Sequence, residues 1–189
     1  MKTITLSKKD MESRISRFSS LKPLPIQDAS TPEKARDVVY ARKLLSVIGL
    51  EDAKTPINMG APIIGAAGMT MTLAVCPPGQ GPGLHAHRQT YETFTVLKGR
   101  FEVRWNDDGS GSATLGLFDT VSFPPGVCRS FRNVGDEEGI LQVIITGGVH
   151  DMNDIAFTSE AKKQIEDVKP GLSAEFERAG FTFSIPSRR

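Results

Sequence analysis

The pattern of hydrophobic and polar residues divides this 189-residue chain into three zones. Short β-prone runs fill residues 55–150 and alternate with loops rich in Gly, Pro, Asp or Asn. Short strands separated by loops of this composition are typical of an all-β sandwich or barrel. The outer zones instead mix charged and apolar residues at helical spacing. The pattern therefore predicts one β-domain over 55–150, a helical or extended N-terminal flank over 1–54, and a C-terminal helical extension over 151–189.

The flanks carry recognisable helix ends. Ser7 is a candidate N-cap with an aspartate three residues later, and Pro32 occupies a suitable first helical position. From Pro32, one apolar face predicts a long helix through Val38, Ala41, Leu45 and Ile48. Its second half is rich in β-branched residues, so a strand is an open alternative there. In the C-terminal flank, Thr158 or Ser159 caps a helix, and a second helix ends at Gly180.

Composition excludes several classes of function. The 23 basic and 22 acidic residues give a net charge of +1, so no charge excess favours nucleic acid or an anionic membrane. The N-terminal stretch lacks the apolar region of a secretion signal, and no apolar run approaches the roughly 18 residues of a membrane span. Two cysteines do not form a disulfide framework. We therefore expect a cytoplasmic protein without nucleic-acid or membrane partners.

Candidate chemistry is concentrated in residues 79–99, GQGPGLHAHRQTYETFTVLKG, which hold two of the chain's three histidines. On a strand, His85 and His87 point to the same face, about 6–7 Å apart. Two imidazoles at that spacing can tilt onto one divalent ion. Glu92 follows after a short connection that can bring its carboxylate in from the next strand. We therefore predict metal ligands at His85, His87 and Glu92, although isolated His-x-His pairs also occur at loop edges without binding anything.

An apolar wall is predicted beside these ligands. Phe94 and Val96 share strand parity with Glu92, so all three side chains face inward if one of them does. Phe131 is counted with them as a predicted pocket residue. A polar triad on the same inward face as apolar side chains is typical of a lined cavity.

The histidine stretch resembles the first motif of the cupin superfamily, Gly-x5-His-x-His-x3-4-Glu-x6-Gly. The matching residues are Gly79, His85, His87, Glu92 and Gly99. The resemblance covers roughly residues 65–148 and implies the cupin fold, a jelly-roll barrel or double-stranded β-helix. Because cupins are often dimers, it also implies a homodimer.

The later stretch FDTVSFPPGVCRSFRN is similar to the second cupin motif, Gly-x5-Pro-x-Gly-x2-His-x3-Asn, but departs from it twice. Pro124, Gly126 and Asn133 match. Phe118 occupies the place of the motif's glycine, and Arg129 that of its histidine. In cupins that hold a metal, this histidine is usually the fourth protein ligand. Arginine cannot replace it, because it stays protonated and offers only donors.

Three arrangements around Arg129 are open. The metal can stay on the three remaining ligands, with Arg129 beside the open positions as a fork for an anion. Alternatively, the metal is lost and Arg129 pairs with Glu92, or Arg129 turns outward and Cys128 or His150 supplies the missing ligand. A guanidinium next to a divalent ion is repelled by several kcal/mol even at an effective dielectric constant of about 20. The first arrangement therefore predicts an anionic substrate, and it is favoured because its set of three ligands is complete.

These alternatives lead to different functions. Two histidines and one carboxylate are typical of non-haem Fe(II) oxygenases, which predicts a dioxygenase, an oxidoreductase acting on a small organic acid, with Arg129 as a catalytic residue. Mn, Ni or Zn are the other candidate ions, and isomerase or decarboxylase chemistry stays open. The main alternative is a metal-free cupin that binds or senses a small anionic ligand through Arg129. A third is a structural protein with a vestigial pocket.

Overall fold

Twelve strands and four short α-helices are found in residues 4–24, 30–50, 60–65, 68–148 and 152–186, which this computed structural model describes. The strands are β1 (Lys43–Gly49), β2 (Ile63–Ile64), β3 (Met69–Cys76), β4 (His85–His87), β5 (Tyr91–Lys98), β6 (Phe101–Trp105), β7 (Gly111–Leu115), β8 (Thr120–Phe123), β9 (Arg129–Asn133), β10 (Gly139–Thr146), β11 (Ile155–Thr158) and β12 (Thr182–Ile185). The helices are α1 (Lys8–Glu12), α2 (Glu33–Val39), α3 (Ser159–Val168) and α4 (Ser173–Arg178). Short 3-10 turns lie at Phe18–Ser20 and Met152–Asp154.

The strands form two six-stranded sheets that face each other. The first has the order β2-β1-β3-β10-β5-β8 and the second the order β12-β11-β4-β9-β6-β7. Their pairings are antiparallel except at β1–β2 and β11–β12. Buried aromatic and aliphatic residues fill the space between the sheets, among them Phe94, Val96, Phe101, Phe131 and Leu141. The predicted all-β jelly-roll barrel is confirmed.

Strand β5 shows how the sequence pattern becomes an inward and an outward face. Glu92, Phe94 and Val96 are buried, whereas Thr93 and Thr95 between them are only half-buried. The two threonine hydroxyls lie 2.8 and 2.9 Å from hydroxyls of the neighbouring strand β8. The side-chain period of two therefore places the acid and the apolar residues on the barrel's inner face, as their parity predicted.

Both flanks contribute strands to the barrel, so its extent differs from the predicted domain boundaries at 54 and 150. In the N-terminal flank, β1 pairs with β3, with Leu45 opposite Leu73. In the C-terminal flank, β11 pairs with β4. After Pro32, α2 ends at Val39 and the chain continues as β1, which confirms the strand alternative for the second half of this segment over the long helix. Sheet pairing and burial of the β-branched segment outweigh its helical spacing.

Helices α1 and α3 begin where the sequence placed their N-caps. The Ser7 hydroxyl accepts a hydrogen bond from the Asp10 amide, and the Asp10 carboxylate accepts in return from Ser7. The Thr158 hydroxyl accepts from the Ala161 amide and so caps α3. Helices α2, α3 and α4 pack together with β11 around a second apolar cluster. Within the described residues, every helix is too short or too polar to cross a membrane.

Candidate metal centre

The two facing sheets bring the three candidate ligand residues together inside the barrel. His85 and His87 lie on β4, and both side chains point inward because they are two residues apart on a strand. Glu92 enters from β5 in the opposite sheet. The Nε2 atoms of His85 and His87 lie 3.5 and 3.9 Å from Glu92 Oε2. One ligand atom from each residue falls within 4.8 Å of the others, and all three side chains are buried.

Hydrogen bonds at the far side of each ring orient the histidines. His85 Nδ1 lies 2.9 Å from the Gly83 carbonyl oxygen, which can only accept, so Nδ1 carries the proton. His87 Nδ1 lies 2.7 Å from Thr90 Oγ1 and 3.2 Å from Asp154 Oδ2. The Thr90 hydroxyl donates to Asp154 Oδ2 at 2.5 Å, so its oxygen accepts from His87. Both rings therefore present an Nε2 lone pair toward Glu92.

The neutral form of His85 is favoured by its surroundings. Burial is the largest influence and lowers the pKa of His85, and it outweighs the pull of the Glu92 carboxylate toward the protonated ring. A neutral imidazole with a free Nε2 lone pair is the form that ligates a metal ion.

Asp154 is a part of the site that the sequence did not indicate. It lies just before β11, whose Ile155 pairs with His87 across the sheet. Burial alone would raise the pKa of Asp154, but hydrogen bonds from His87, Thr90 and the Gln89 amide outweigh it and lower the pKa to about 2. Asp154 is therefore ionised, and it forms the outer member of a carboxylate–histidine pair of the kind that supports metal ligands. Only the pairing of β11 with β4 brings it here, and no local motif signals that pairing.

Arg129 is fully buried and pairs with Glu92, the contact that the second predicted arrangement combines with loss of the metal. Its Nε donates to Glu92 Oε2 at 2.8 Å, and Nη1 donates to the Val127 carbonyl at 3.2 Å. Nη2 has no hydrogen-bond partner among the described residues. Arg129 is absent from the cavity wall described below, and its role as a catalytic residue stays a prediction. The guanidinium pairs with the Glu92 carboxylate, and Glu92, unlike Arg129, lines the cavity.

The charge on Glu92 is stabilised by its neighbours. Burial would raise the pKa of this carboxyl group, but Arg129 and the two histidines outweigh burial and hold the pKa well below its usual range. Glu92 is thus an ionised ligand candidate whose charge Arg129 balances.

Of the other proposed ligands, the structure describes Cys128, which lies away from the histidines. Cys128 is buried next to Arg129, and it borders a separate polar hollow with Asp107 and Gly126 instead of the cavity at the histidines. Its thiol has a pKa raised to about 11, mainly by burial. His150 lies outside the described residues.

A cavity of about 330 Å³ opens directly onto His85, His87 and Glu92. Phe131 lines it, as predicted from the sequence. Phe94 and Val96 do not line it, which corrects the prediction that they form its wall. They lie farther along β5, where the sheets close on each other, and the Phe94 ring packs 5.0 Å from the Phe131 ring.

The donor set fits a divalent transition-metal ion. It offers two imidazole nitrogens and one carboxylate oxygen, which suit Fe, Mn, Ni or Zn. Three protein ligands with a cavity on one side leave positions for substrate, the arrangement of catalytic sites as opposed to closed structural ones. Arg129 occupies the motif position of a fourth ligand, but it forms an ion pair with Glu92.

Residues 72–145 match the family described as the cupin domain. This match assigns a cupin domain to that stretch of the chain, in agreement with the resemblance of the two motifs and with the two-sheet barrel. A comparison with curated proteins gives no match.

Several solved structures are similar to part of this chain. A Bacillus halodurans protein is 20% identical, with a TM-score of 0.43, over 47% of this chain and 70% of that one. The Cnp3 cupin domain of Schizosaccharomyces pombe is 18% identical, with a TM-score of 0.41, over 46% of this chain and 67% of that one. A recombinant oxalate oxidase in complex with glycolate is 25% identical, with a TM-score of 0.41, over 47% of this chain and 45% of that one.

Proposed function

We propose that this protein is a metal-dependent cupin enzyme that acts on a small organic acid. His85, His87 and Glu92 would hold the ion. One observation carries the proposal: each histidine has its Nδ1 engaged by a partner that fixes the tautomer, so both Nε2 atoms converge on an ionised carboxylate. A buried pair of histidines with only a packing role does not need this orientation.

The charge balance of the site supports an acidic substrate. Arg129 neutralises Glu92, and both histidines are neutral when they ligate a metal. Asp154 adds one negative charge behind His87. A divalent ion would therefore leave this buried region with a net positive charge. An uncompensated buried charge is costly, so an anionic group at an open metal position would stabilise the loaded site.

For the reaction, we favour a dioxygenase with Fe(II) as the ion, because two histidines and one carboxylate are the ligand set of non-haem iron oxygenases. The ion would supply redox chemistry with O₂ and a binding position for the acid. The protein's own residues have three tasks. Thr90 and Asp154 hold His87 in its ligating tautomer, the Gly83 carbonyl does the same for His85, and Arg129 keeps Glu92 ionised.

The alternative of a metal-free anion binder has less support. It needs Arg129 to contact the ligand, but Arg129 donates to Glu92 and Val127 and does not line the cavity. A homodimer and a cytoplasmic location stay predictions from the sequence.

The test begins with metal binding. Protein stripped with a chelator is titrated anaerobically with Fe(II), and separately with Mn(II), Ni(II) and Zn(II), and the bound metal is counted by elemental analysis. We expect about one ion per chain, lost in Glu92→Gln. Glu102→Gln is the matched control, since Glu102 is a half-buried acid on β6 outside the cavity. Stoichiometry near zero with all four ions contradicts the metal centre.

The reaction is tested separately with the loaded protein. Oxygen uptake is measured in the presence of Fe(II) and a panel of carboxylic acids. Uptake that depends on both the acid and Glu92 supports the dioxygenase. Full metal occupancy without oxygen uptake contradicts the dioxygenase and leaves a metal-dependent cupin with another reaction.

A further inference from the structure

Most of the cavity wall comes from outside the stretch that matches the cupin domain. Twelve of the twenty lining residues lie before residue 72 or after residue 145. The N-terminal flank contributes Val39, Tyr40 and Leu44 among others, and the C-terminal flank contributes Phe157, Phe176 and Phe181 among others. The cupin barrel therefore supplies the ligand residues, whereas the two flanks supply most of the surface that a substrate would meet.

The C-terminal flank forms a row of aromatic rings that starts at the centre. The Phe157 ring lies 5.2 Å from the His85 ring, and the Phe181 ring lies 5.8 Å from that of Phe157. Phe176 follows, edge-on to Phe181 at 5.6 Å. All three phenylalanines are buried and line the cavity. This wall favours an apolar substrate body, planar or branched, over a hydrated polar one.

Tyr40 adds one polar group to this apolar wall. It follows the end of α2, and its ring packs edge-on against Phe181 at 5.6 Å. Its backbone is fixed, since its amide donates to the Arg36 carbonyl and its carbonyl accepts from Gln80. Within the part of the chain that the structure describes, the Tyr40 hydroxyl makes no hydrogen bond. Burial raises the pKa of this phenol, so it remains a neutral donor.

Away from the centre, the cavity wall has no net charge. Arg36 and Glu175 are its only charged residues besides Glu92 within the described residues, and their charges are opposite. A second carboxylate on the substrate would therefore find no excess of positive charge and would lie against phenylalanine rings. This composition disfavours diacids and favours a single acid group.

From these observations we infer that the flanks select the substrate: a small monocarboxylic acid whose apolar body lies against Phe157, Phe176 and Phe181, and whose uncharged oxygen accepts a hydrogen bond from the Tyr40 hydroxyl. The inference rests on the proposed metal centre, which would take the carboxylate. The volume of about 330 Å³ lies at the lower end of ligand pockets and suits an acid with a single ring.

The experiment measures acid binding without requiring turnover. Zn(II)-loaded protein is titrated by calorimetry with benzoate, with 2-, 3- and 4-methoxybenzoate, and with succinate. We expect benzoate to bind at least about tenfold more tightly than succinate, because the second charge of succinate would lose its water against apolar rings. At least one methoxybenzoate should bind about three- to tenfold more tightly than benzoate, through the added acceptor.

Variants assign these preferences to the flanks. Tyr40→Phe should remove the advantage of the best methoxybenzoate and leave benzoate binding within twofold. Tyr91→Phe is its matched control, because Tyr91 is half-exposed at the start of β5 and lies outside the cavity. Phe181→Leu should weaken benzoate binding at least about threefold by removing ring contact. Phe183→Leu is the control, since Phe183 contacts Phe157 but does not line the cavity.

The outcomes separate this inference from the proposed metal centre, because bound zinc is counted on the same samples. No bound zinc in the wild-type protein contradicts the metal centre itself. If zinc occupancy is full and succinate binds as tightly as benzoate or more tightly, the proposal that the flanks select the substrate is overturned. Full occupancy with a methoxybenzoate advantage that survives Tyr40→Phe overturns the role of Tyr40.

Discussion

Replacing Arg129 by methionine removes the guanidinium and keeps a side chain of similar length. In the metal-free protein, Glu92 would then be a buried carboxylate without its closest cation, which lies 2.8 Å away in the wild type. Removing one partner of a buried ion pair costs about 3–5 kcal/mol. We therefore expect Arg129→Met to lower the free energy of unfolding by about that amount when no metal is present.

The same change should strengthen metal binding. An ion held by Glu92 would share this carboxylate with the Arg129 guanidinium, and a divalent and a single positive charge so close repel by several kcal/mol at an effective dielectric constant of about 20. Part of this gain is lost, because without Arg129 the buried Glu92 would be more easily protonated. Measured at pH 8, where protonation matters less, zinc should bind Arg129→Met at least about tenfold more tightly than the wild type.

The assay combines two measurements on the same protein. Unfolding is followed in EDTA and then with Zn(II), and the zinc dissociation constant is obtained by competition with a chromophoric chelator. Arg104→Met is the matched control, because Arg104 is an exposed arginine on the neighbouring strand β6. The variant at Arg129 should be less stable than the wild type in EDTA, and zinc should restore much of the loss. Weaker zinc binding by Arg129→Met would refute the reasoning, since Arg129 would then support the ion instead of opposing it.

Four further predictions concern the surroundings of the site. The pKa of buried His85 is lowered from its ordinary 6.5, and those of Glu92 and Asp154 are lowered from 4.5 and 3.8, so in all three cases the unfolded chain takes up protons first on acidification. The Tm in EDTA should therefore be level from pH 8 to about 7, fall below about 6.5 and fall further below about 4.5; a Tm that rises on acidification contradicts this. Asp154→Asn should weaken zinc binding about 10- to 100-fold in the chelator assay, and a change within twofold would show that Asp154 does not support His87. Gly81→Ala should cost at least about 2 kcal/mol in denaturant unfolding or prevent folding, because its Cβ would lie 1.9 Å from the Phe131 carbonyl oxygen; wild-type stability would refute this. Phe118→Gly should raise the Tm by about 1–4 °C, because the exposed Phe118 has a φ of 67°, and a lower Tm would show that its side chain matters more than backbone strain.

The ligand set could be predicted from the sequence because it depends on short-range geometry. The two candidate histidines are two positions apart, with one residue between them, and a strand brings such residues to one face whatever the rest of the fold does. The parity of Glu92 with Phe94 and Val96 is equally local, and the structure shows all three on the inner face. Strand parity did not predict which of these inward residues line the cavity and which lie in the core. Phe94 and Val96 face inward, but they belong to the closed core and not to the cavity.

The position of Arg129 could be reduced to three arrangements but not to one. The departure from the second cupin motif identified the residue, and the physics of a buried guanidinium limited its partners. The choice among them depends on how far Glu92 reaches across the barrel, which is set by the pairing of β5 with β8 and β10. A sequence alone does not contain that distance.

Asp154 and Tyr40 were missed because their roles depend on strands and helices far apart along the chain. Asp154 reaches His87 only because β11 pairs with β4, and those strands are separated by more than sixty residues. Tyr40 reaches the cavity only because the predicted long helix stops at Val39 and the chain turns into β1. Residue type alone did not predict either position, since an aspartate near a strand and a tyrosine after a helix are ordinary features.

The orientation of both histidines depends on the flanks as well as on the barrel. Gly83, whose carbonyl holds His85, donates its own amide to the Val38 carbonyl at the end of α2, 2.7 Å away. Asp154, which supports His87, also accepts the Arg88 amide at its backbone carbonyl, 2.8 Å away. The N-terminal flank therefore contacts the chain just before β4, and the C-terminal flank contacts it just after β4. A metal ligand must be held in one tautomer and direction to bind tightly. The stretch that matches the cupin domain contains the candidate ligands, and contacts from both flanks help to hold its two histidines in place.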